Sequence, residues 1–277
     1  MKNEKNTTAI CYDWTKFRNS PIYADILSTW ETMLDNTNLK EQDYQSYLQD
    51  HPAVFLAIQE CYLVISRLKL GSDYETDFVT VKEGYSNGTE YELIEIESPH
   101  TALFDRTGKP TAKFNAALQQ IRDWKRLLMK DKYLFHKTFP TDHSKILRDS
   151  KLSFKIIIGR RTGDMEELEK RRQIAEQENI EIISFDRLTD LARNRQHYFD
   201  HADIYSGQMD AEPFHKRNAL GNPFYTCMGD SQWRKICNTG HHHFYTGLLD
   251  EILQCRTYNS HFERFKQLGY DFGDLNL

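Results

Sequence analysis

The sequence predicts an α/β fold: a mixed central sheet flanked by helices, with an N-terminal helical segment before it and a C-terminal appendage after it. Three observations carry this. Two runs rich in β-branched and aromatic residues, 74–81 and 91–97, stand on either side of the turn signal Ser86-Asn87-Gly88, which reads as an antiparallel pair. A strand, helix, strand succession over 154–159, 164–178 and 180–185 is long enough for a crossover and so implies parallel pairing. Helical apolar spacing recurs at 21–34 and 112–128.

The elements follow in order. Pro21 opens the first helix, and Ile22, Ile26, Leu27, Trp30, Met33 and Leu34 give it one apolar face. Asn38 stands three residues before Glu41, a capping-box spacing that predicts a helix through Tyr44, Tyr47 and Leu48 until His51-Pro52 stops it. A third helix is expected over 53–68, with Gly71 as punctuation. The strand at 91–97 alternates, so Glu92, Ile94 and Ile96 share one face while Leu93, Glu95 and Glu97 share the other. After Pro99 and the polar stretch Thr107-Gly108-Lys109-Pro110, the helix at 112–128 places Lys113, Ala117, Gln120 and Trp124 on one stripe. The expected organisation is an N-terminal helical segment over 1–40, a catalytic domain over 41–200 and an appendage over 201–277 with a helix near 243–253.

Composition narrows the class. The 277 residues are 39% hydrophobic, 13% aromatic and 28% charged, the balance of a folded chain rather than a disordered or fibrous one. A net charge of −5 argues against a nonspecific polycation but leaves room for a local basic groove. The longest apolar runs fall well short of the roughly 20 residues of a membrane helix, so no membrane is expected. The first residues lack a secretory signal's apolar segment, and five cysteines without paired spacing fit a reducing compartment, so a cytoplasmic location is expected. No phosphate-loop glycine motif occurs.

The chemistry begins with Asp77 and Glu95. Two carboxylates on neighbouring strands can hold Mg²⁺ (or Mn²⁺) through oxygen while water completes the shell, and such an ion can activate water against a phosphodiester. Either acid alone would read as a surface residue. Glu95 and Glu97, however, point together and repel each other unless a cation or a basic group intervenes. Gln120 shares its stripe with the large apolar Trp124, so it faces protein and needs a hydrogen-bond partner there. Glu41 also lies within reach of the site, although the cap accounts for it.

Five segments resemble the nuclease domain of the Shedu anti-phage defence proteins. They are Thr76-Asp77-Phe78-Val79; Leu93-Ile94-Glu95-Ile96-Glu97-Ser98-Pro99 with Leu103-Phe104; the 116–124 helix through Gln120 to Trp124; Ile156-Ile157-Ile158-Gly159-Arg160-Arg161; and Ile183-Ser184-Phe185-Asp186-Arg187-Leu188. The helix from Glu41 to Leu48 with His51-Pro52 is similar to the family's helix before its sheet, and the likeness spans roughly 41–194. The resemblance implies a PD-(D/E)XK, restriction-endonuclease-like fold and Mg²⁺-dependent DNA cleavage. It also implies action as a homo-oligomer, with a phage component as trigger. It makes Asp77 the acid of the first core strand, Glu95 the acid of the E-x-K pair and Gln120 the helix glutamine.

The departure is Glu97, where that pattern carries a lysine whose positive charge would stabilise the transition state. Three readings stand side by side. Glu97 could join Asp77 and Glu95 as a metal ligand; a lysine could reach in from elsewhere; or cutting could be lost. Lys113 is the candidate lysine, about 10 Å from Gln120 along the helix axis at 1.5 Å per residue. Lys82 falls on the face opposite Asp77. The catalytic candidates are thus Asp77, Glu95, Glu97, Gln120 and Lys113. Arg160, Arg161 and Arg122 are candidate DNA contacts, with Arg171 and Arg172 better read as a solvated helix face. In the appendage, Cys227, Cys237, Cys255 and His241 to His243 lack the paired spacing of a zinc site. The function expected is a metal-dependent DNA endonuclease or nickase in anti-phage defence; the alternative is a catalytically impaired module that binds nucleic acid or a protein partner.

Overall fold

Antiparallel and parallel pairing meet in one five-stranded sheet, and the strand where they meet carries Glu95 and ends one residue before Glu97. The computed structural model describes residues 21–56, 61–83, 88–139, 141 and 149–196. The elements are α1 Pro21–Asp35, α2 Glu41–Asp50, α3 Pro52–Phe55, β1 Cys61–Ser66, β2 Lys69–Leu70, β3 Tyr74–Glu75, β4 Phe78–Glu83, β5 Thr89–Ile96, α4 Ala112–Lys130, α5 Lys132–Thr138, β6 Lys151–Ile157, α6 Met165–Glu178, β7 Glu181–Ile183 and α7 Phe185–Gln196. The sheet order is β1-β4-β5-β6-β7, with β2 and β3 as a separate small ladder. β1, β4 and β5 pair antiparallel, whereas β5, β6 and β7 pair parallel. The mixed α/β architecture read from the sequence is present.

Each face of the sheet buries its own core. Val79, Val81, Tyr91, Leu93, Phe154 and Ile156 pack under α4 and α5, against Phe114, Ile121, Trp124 and Phe135. Phe78, Ile94, Ile96, Ile157 and Ile183 face the other way, toward Tyr23, Trp30, Tyr44, Leu48 and Leu188 of α1, α2 and α7. Strand alternation thus sorts the side chains between two helical layers.

Several expectations change. The segment at 53–68 is not one helix: Pro52–Phe55 makes a single turn, and Cys61–Ser66 is an edge strand paired with β4. β-Branched Val64 and Ile65 fit a pleated surface with a partner better than a helix. The run at 74–81 divides at Thr76-Asp77 into β3 and β4. The last strand shortens to Glu181–Ile183, since Phe185 already belongs to α7. The Asn38–Glu41 cap does not form; Asp43 Oδ2 instead accepts from the Lys40 backbone N–H at 2.7 Å. The residues beyond 196, with the expected helix near 243–253 and the cysteines and histidines weighed for zinc, lie outside the described ones.

The expected boundary at residue 40 cuts through shared packing. Trp30 of α1 is fully buried, lies against Tyr47 and Phe185 and donates from Nε1 to Thr189 Oγ1 at 2.9 Å. Tyr23 donates to the Ala192 carbonyl at 2.7 Å. Arg160, past the end of β6, donates to the Leu34 carbonyl at 2.6 Å and grips both carboxylate oxygens of Asp186. Nearby, Gly159 has φ +70, and a Cβ there would stand 2.9 Å from both Leu103 Cδ1 and the Thr101 carbonyl oxygen. Its carbonyl accepts from the Phe185 N–H at 3.0 Å.

Replacing Trp30 by Ala removes the ring that joins α1, α2 and α7 and should cost about 3–5 kcal/mol. Chemical denaturation followed by circular dichroism measures this, and a loss below about 1 kcal/mol would show that α1 is not part of the same core.

Candidate active site

Register builds the site. β4 and β5 pair Phe78 with Ile94, and continuing that antiparallel ladder by one residue sets Asp77 opposite Glu95. By alternation Asp77 lies on the face of Val79 and Val81, and Glu95 and Glu97 on the face of Leu93, beneath α4. The ladder frays at this end because the Asp77 side chain takes part in it: Oδ2 accepts from the Ile96 N–H at 2.7 Å. The next backbone donor, Glu97 N–H, turns to the Ile157 carbonyl of β6 at 2.9 Å.

Helices from both layers reach this end. From α4, Gln120 donates to Glu95 Oε2 at 2.9 Å, satisfying an amide that its half-buried stripe would otherwise strand. Two stripe positions earlier, Lys113 Nζ stands 3.5 Å from Glu97 Oε2 and 3.9 Å from Glu41 Oε2. From α2, Gln45 donates to Asp77 Oδ1. Glu41 and Gln45 are one helical turn apart and share a side of α2.

The five candidate catalytic residues, Asp77, Glu95, Glu97, Gln120 and Lys113, therefore come together, and two further residues join them. Glu41 was accounted for as a cap partner; with Asp43 in that role, its carboxylate is left to meet Glu97 and Lys113. Gln45 carried no motif. The available signal was its position four residues after Glu41, on a side of the helix that Tyr44 and Leu48 do not use for the core. Lys82 is elsewhere, paired with Glu90 at 3.2 Å.

The electrostatics are those of crowded acids. Glu95 is 7% exposed. Burial first, then the charges of Asp77, Glu97 and Glu41, pushes its carboxyl up to about 10. Burial raises Asp77 to about 6, opposed by the Ile96 N–H, and raises Glu97 to about 7, with Glu41 adding and Lys113 opposing. The carboxyls meet in pairs, Asp77 with Glu95 and Glu41 with Glu97. Among the described residues no three His, Cys, Asp or Glu side chains are gathered as a ready cation cage. Proton sharing is what neighbouring carboxyls do in place of a cation. The donor set is all oxygen, which suits a hard divalent ion such as Mg²⁺, and Lys113 alone offsets only one charge.

The candidate DNA contacts have structural partners. Arg160 holds Asp186 and α1, and Arg161 pairs with Asp190. Arg122 pairs with Glu178, while its neighbour Lys125 donates to the Glu178 carbonyl, so both fasten the C-terminal end of α6. Arg172 pairs with Glu176 along its own helix.

Fold and site together define an α/β protein whose sheet carries a buried carboxylate cluster at one end, bridged by a lysine and two glutamines. The family described as Shedu protein SduA, C-terminal, matches residues 38–189, more than half of the chain, and the chain belongs to that family. Comparison with curated proteins and with solved structures gives no match. No helix among the described residues is long and apolar enough to cross a membrane.

The raised carboxyls set a pH dependence. Each binds its proton more tightly folded than unfolded, so its contribution to stability is complete below the ordinary carboxylate range and fades as pH rises through its folded value. Without divalent cations, the melting temperature should fall between about pH 5 and about pH 9, and Glu97→Gln should flatten the fall near neutrality. Thermal melts in chelator across that range test this; a flat wild-type profile would contradict the protonated cluster.

Proposed function

We propose that the chain is a metal-dependent DNA endonuclease or nickase that hydrolyses phosphodiester bonds in anti-phage defence, on a PD-(D/E)XK, restriction-endonuclease-like variant of its mixed sheet. The observation that carries the proposal is the buried pair Asp77 and Glu95, with Glu97 and Glu41 beside it and Lys113 between them. Membership in the Shedu family supports the defence role.

Asp77, Glu95 and Glu97 are the residues that would hold Mg²⁺ or Mn²⁺, which supplies water activation and neutralises charge on the phosphodiester. The chain's own residues prepare the place. Gln120 and the Ile96 N–H fix the carboxylates of Glu95 and Asp77, so that little reorganisation is left for the reaction. Lys113 supplies the positive charge that position 97 lacks, from the helix instead of the strand. It also draws Glu97 toward Glu41. Protons on the cluster must leave for a cation to bind, so binding is tighter as pH rises.

The test is cleavage of circular and linear DNA in Mg²⁺ or Mn²⁺. Wild-type protein should nick or cut, and Asp77→Asn and Glu95→Gln should each lower the rate at least about 100-fold. Lys113→Ala should lower it by a similar factor, whereas full activity would remove that lysine from the mechanism. Calorimetric titration of Mn²⁺ in buffers of different ionisation enthalpy should report proton release. A second reading rests on Glu97 itself: absence of cleavage on every DNA form, with DNA binding retained, would mark a nucleic-acid-binding sensor.

A further inference from the structure

The loop at 98–111 leaves the sheet one residue after Glu97 and enters α4 two residues before Lys113, so both of its roots are at the acidic cluster. It is internally tied. Asp105 Oδ1 accepts from the Thr107 N–H at 2.8 Å, the Thr107 hydroxyl at 2.7 Å and the Lys109 N–H at 3.1 Å. The Asp105 N–H donates to the Lys109 carbonyl at 2.8 Å, and Phe104 bridges to Pro110. At the base Thr111 Oγ1 donates to the Ala102 carbonyl at 2.8 Å, and Phe104 meets Phe114 edge-on with ring centroids 5.9 Å apart. Gly108, at φ +76, packs beneath Lys170 of α6, whose ammonium is held by Glu166 at 2.6 Å.

The tip presents two exposed cations, Arg106 and Lys109. Neither side chain has an acceptor among the described residues, in contrast to Arg122, Arg160, Arg161 and Arg172. The one carboxylate inside the turn, Asp105, is occupied by backbone and hydroxyl donors. A rigid turn that engages its only acid internally and leaves two cations unpaired fits a partner carrying closely spaced negative charge. Lys109 is four residues from Lys113, at most about 14 Å of extended chain, which is within a few phosphate steps of a duplex strand.

We propose that the 98–111 loop grips the phosphodiester backbone of duplex DNA beside the carboxylate cluster through Arg106 and Lys109, taking the role the sequence pattern assigned to Arg160, Arg161 and Arg122. This rests on the nuclease reading for its substrate but not on cleavage taking place. The contact is to phosphate and carries no base readout.

The experiment is fluorescence anisotropy of a labelled short duplex with the full chain in chelator, across a salt series. Arg106→Ala/Lys109→Ala should weaken binding and lower the slope of log K against log salt by about 2, close to one per lost phosphate contact. Arg106→Lys/Lys109→Arg, which keeps both charges, should restore the slope. Arg172→Ala, which removes an exposed cation engaged on α6, should leave it unchanged. An unchanged slope in the double alanine variant overturns the proposal even where the wild type cleaves, and so does a wild type that binds no duplex. A lowered slope with no cleavage by any form upholds the loop's role while the nuclease reading fails. Thermal melts of the variants should match wild type, since both side chains project from the surface.

Discussion

The pairing register of β4 against β5 is the constraint on which the rest of the molecule depends. Phe78 opposite Ile94 puts apolar side chains into the α1–α2–α7 layer and, in the same stroke, brings Asp77 against Glu95 under α4. A slip of one residue in β5 would exchange its two faces, turning Ile94 and Ile96 toward α4 and carrying Glu95 and Glu97 away from Asp77. Core formation and acid placement are therefore one event. The apolar faces supply the free energy that holds two carboxyls where water would otherwise separate them.

What those carboxyls require explains the surrounding helices. α4 contributes an amide and an ammonium, and α2 another amide and a fourth acid, so the cluster is complete only when both layers have docked on the sheet. The polar demand is met without a rigid cage: amides and a backbone N–H hold Asp77 and Glu95, while Glu97 and Glu41 share a half-exposed lysine. The inner pair is consequently the better defined and the outer pair the freer to rearrange. Away from the cluster and the 98–111 loop, two arginines serve architecture, Arg160 joining α1 to α7 and Arg122 closing α6 onto α4.

How much of this was legible in the sequence follows from which interactions are local. Alternation along 91–97 gave the shared face of Glu95 and Glu97, and the 3.6-residue stripe gave Lys113 with Gln120 and Trp124, because both patterns are properties of a single element. The crossover at 154–185 gave parallel pairing because its three elements follow one another directly in the chain. The edge strand β1 was hidden because Val64 and Ile65 become a strand only through β4, a partner distant in sequence. Glu41 was within reach but was assigned to the cap, because two acids, Glu41 and Asp43, compete for one capping role and local spacing does not say which is left over. The ion pairs of Arg160, Arg161 and Arg122 were hidden because a cluster of positive charge reads the same in sequence whether it is unpaired or already bound to Asp186, Asp190 and Glu178.

Gly159 bears on how such a sequence can drift. Its missing side chain leaves room for both Leu103 and the Thr101 carbonyl. A smaller residue at 103 would relieve only the first, since no substitution shrinks a backbone oxygen. The positive φ adds a second penalty for any side chain at 159. Position 159 is thus closed to exchange by two independent barriers. The root of the loop is in this way pinned through the backbone itself, and its tip can change in charge or length without loosening the sheet beneath it.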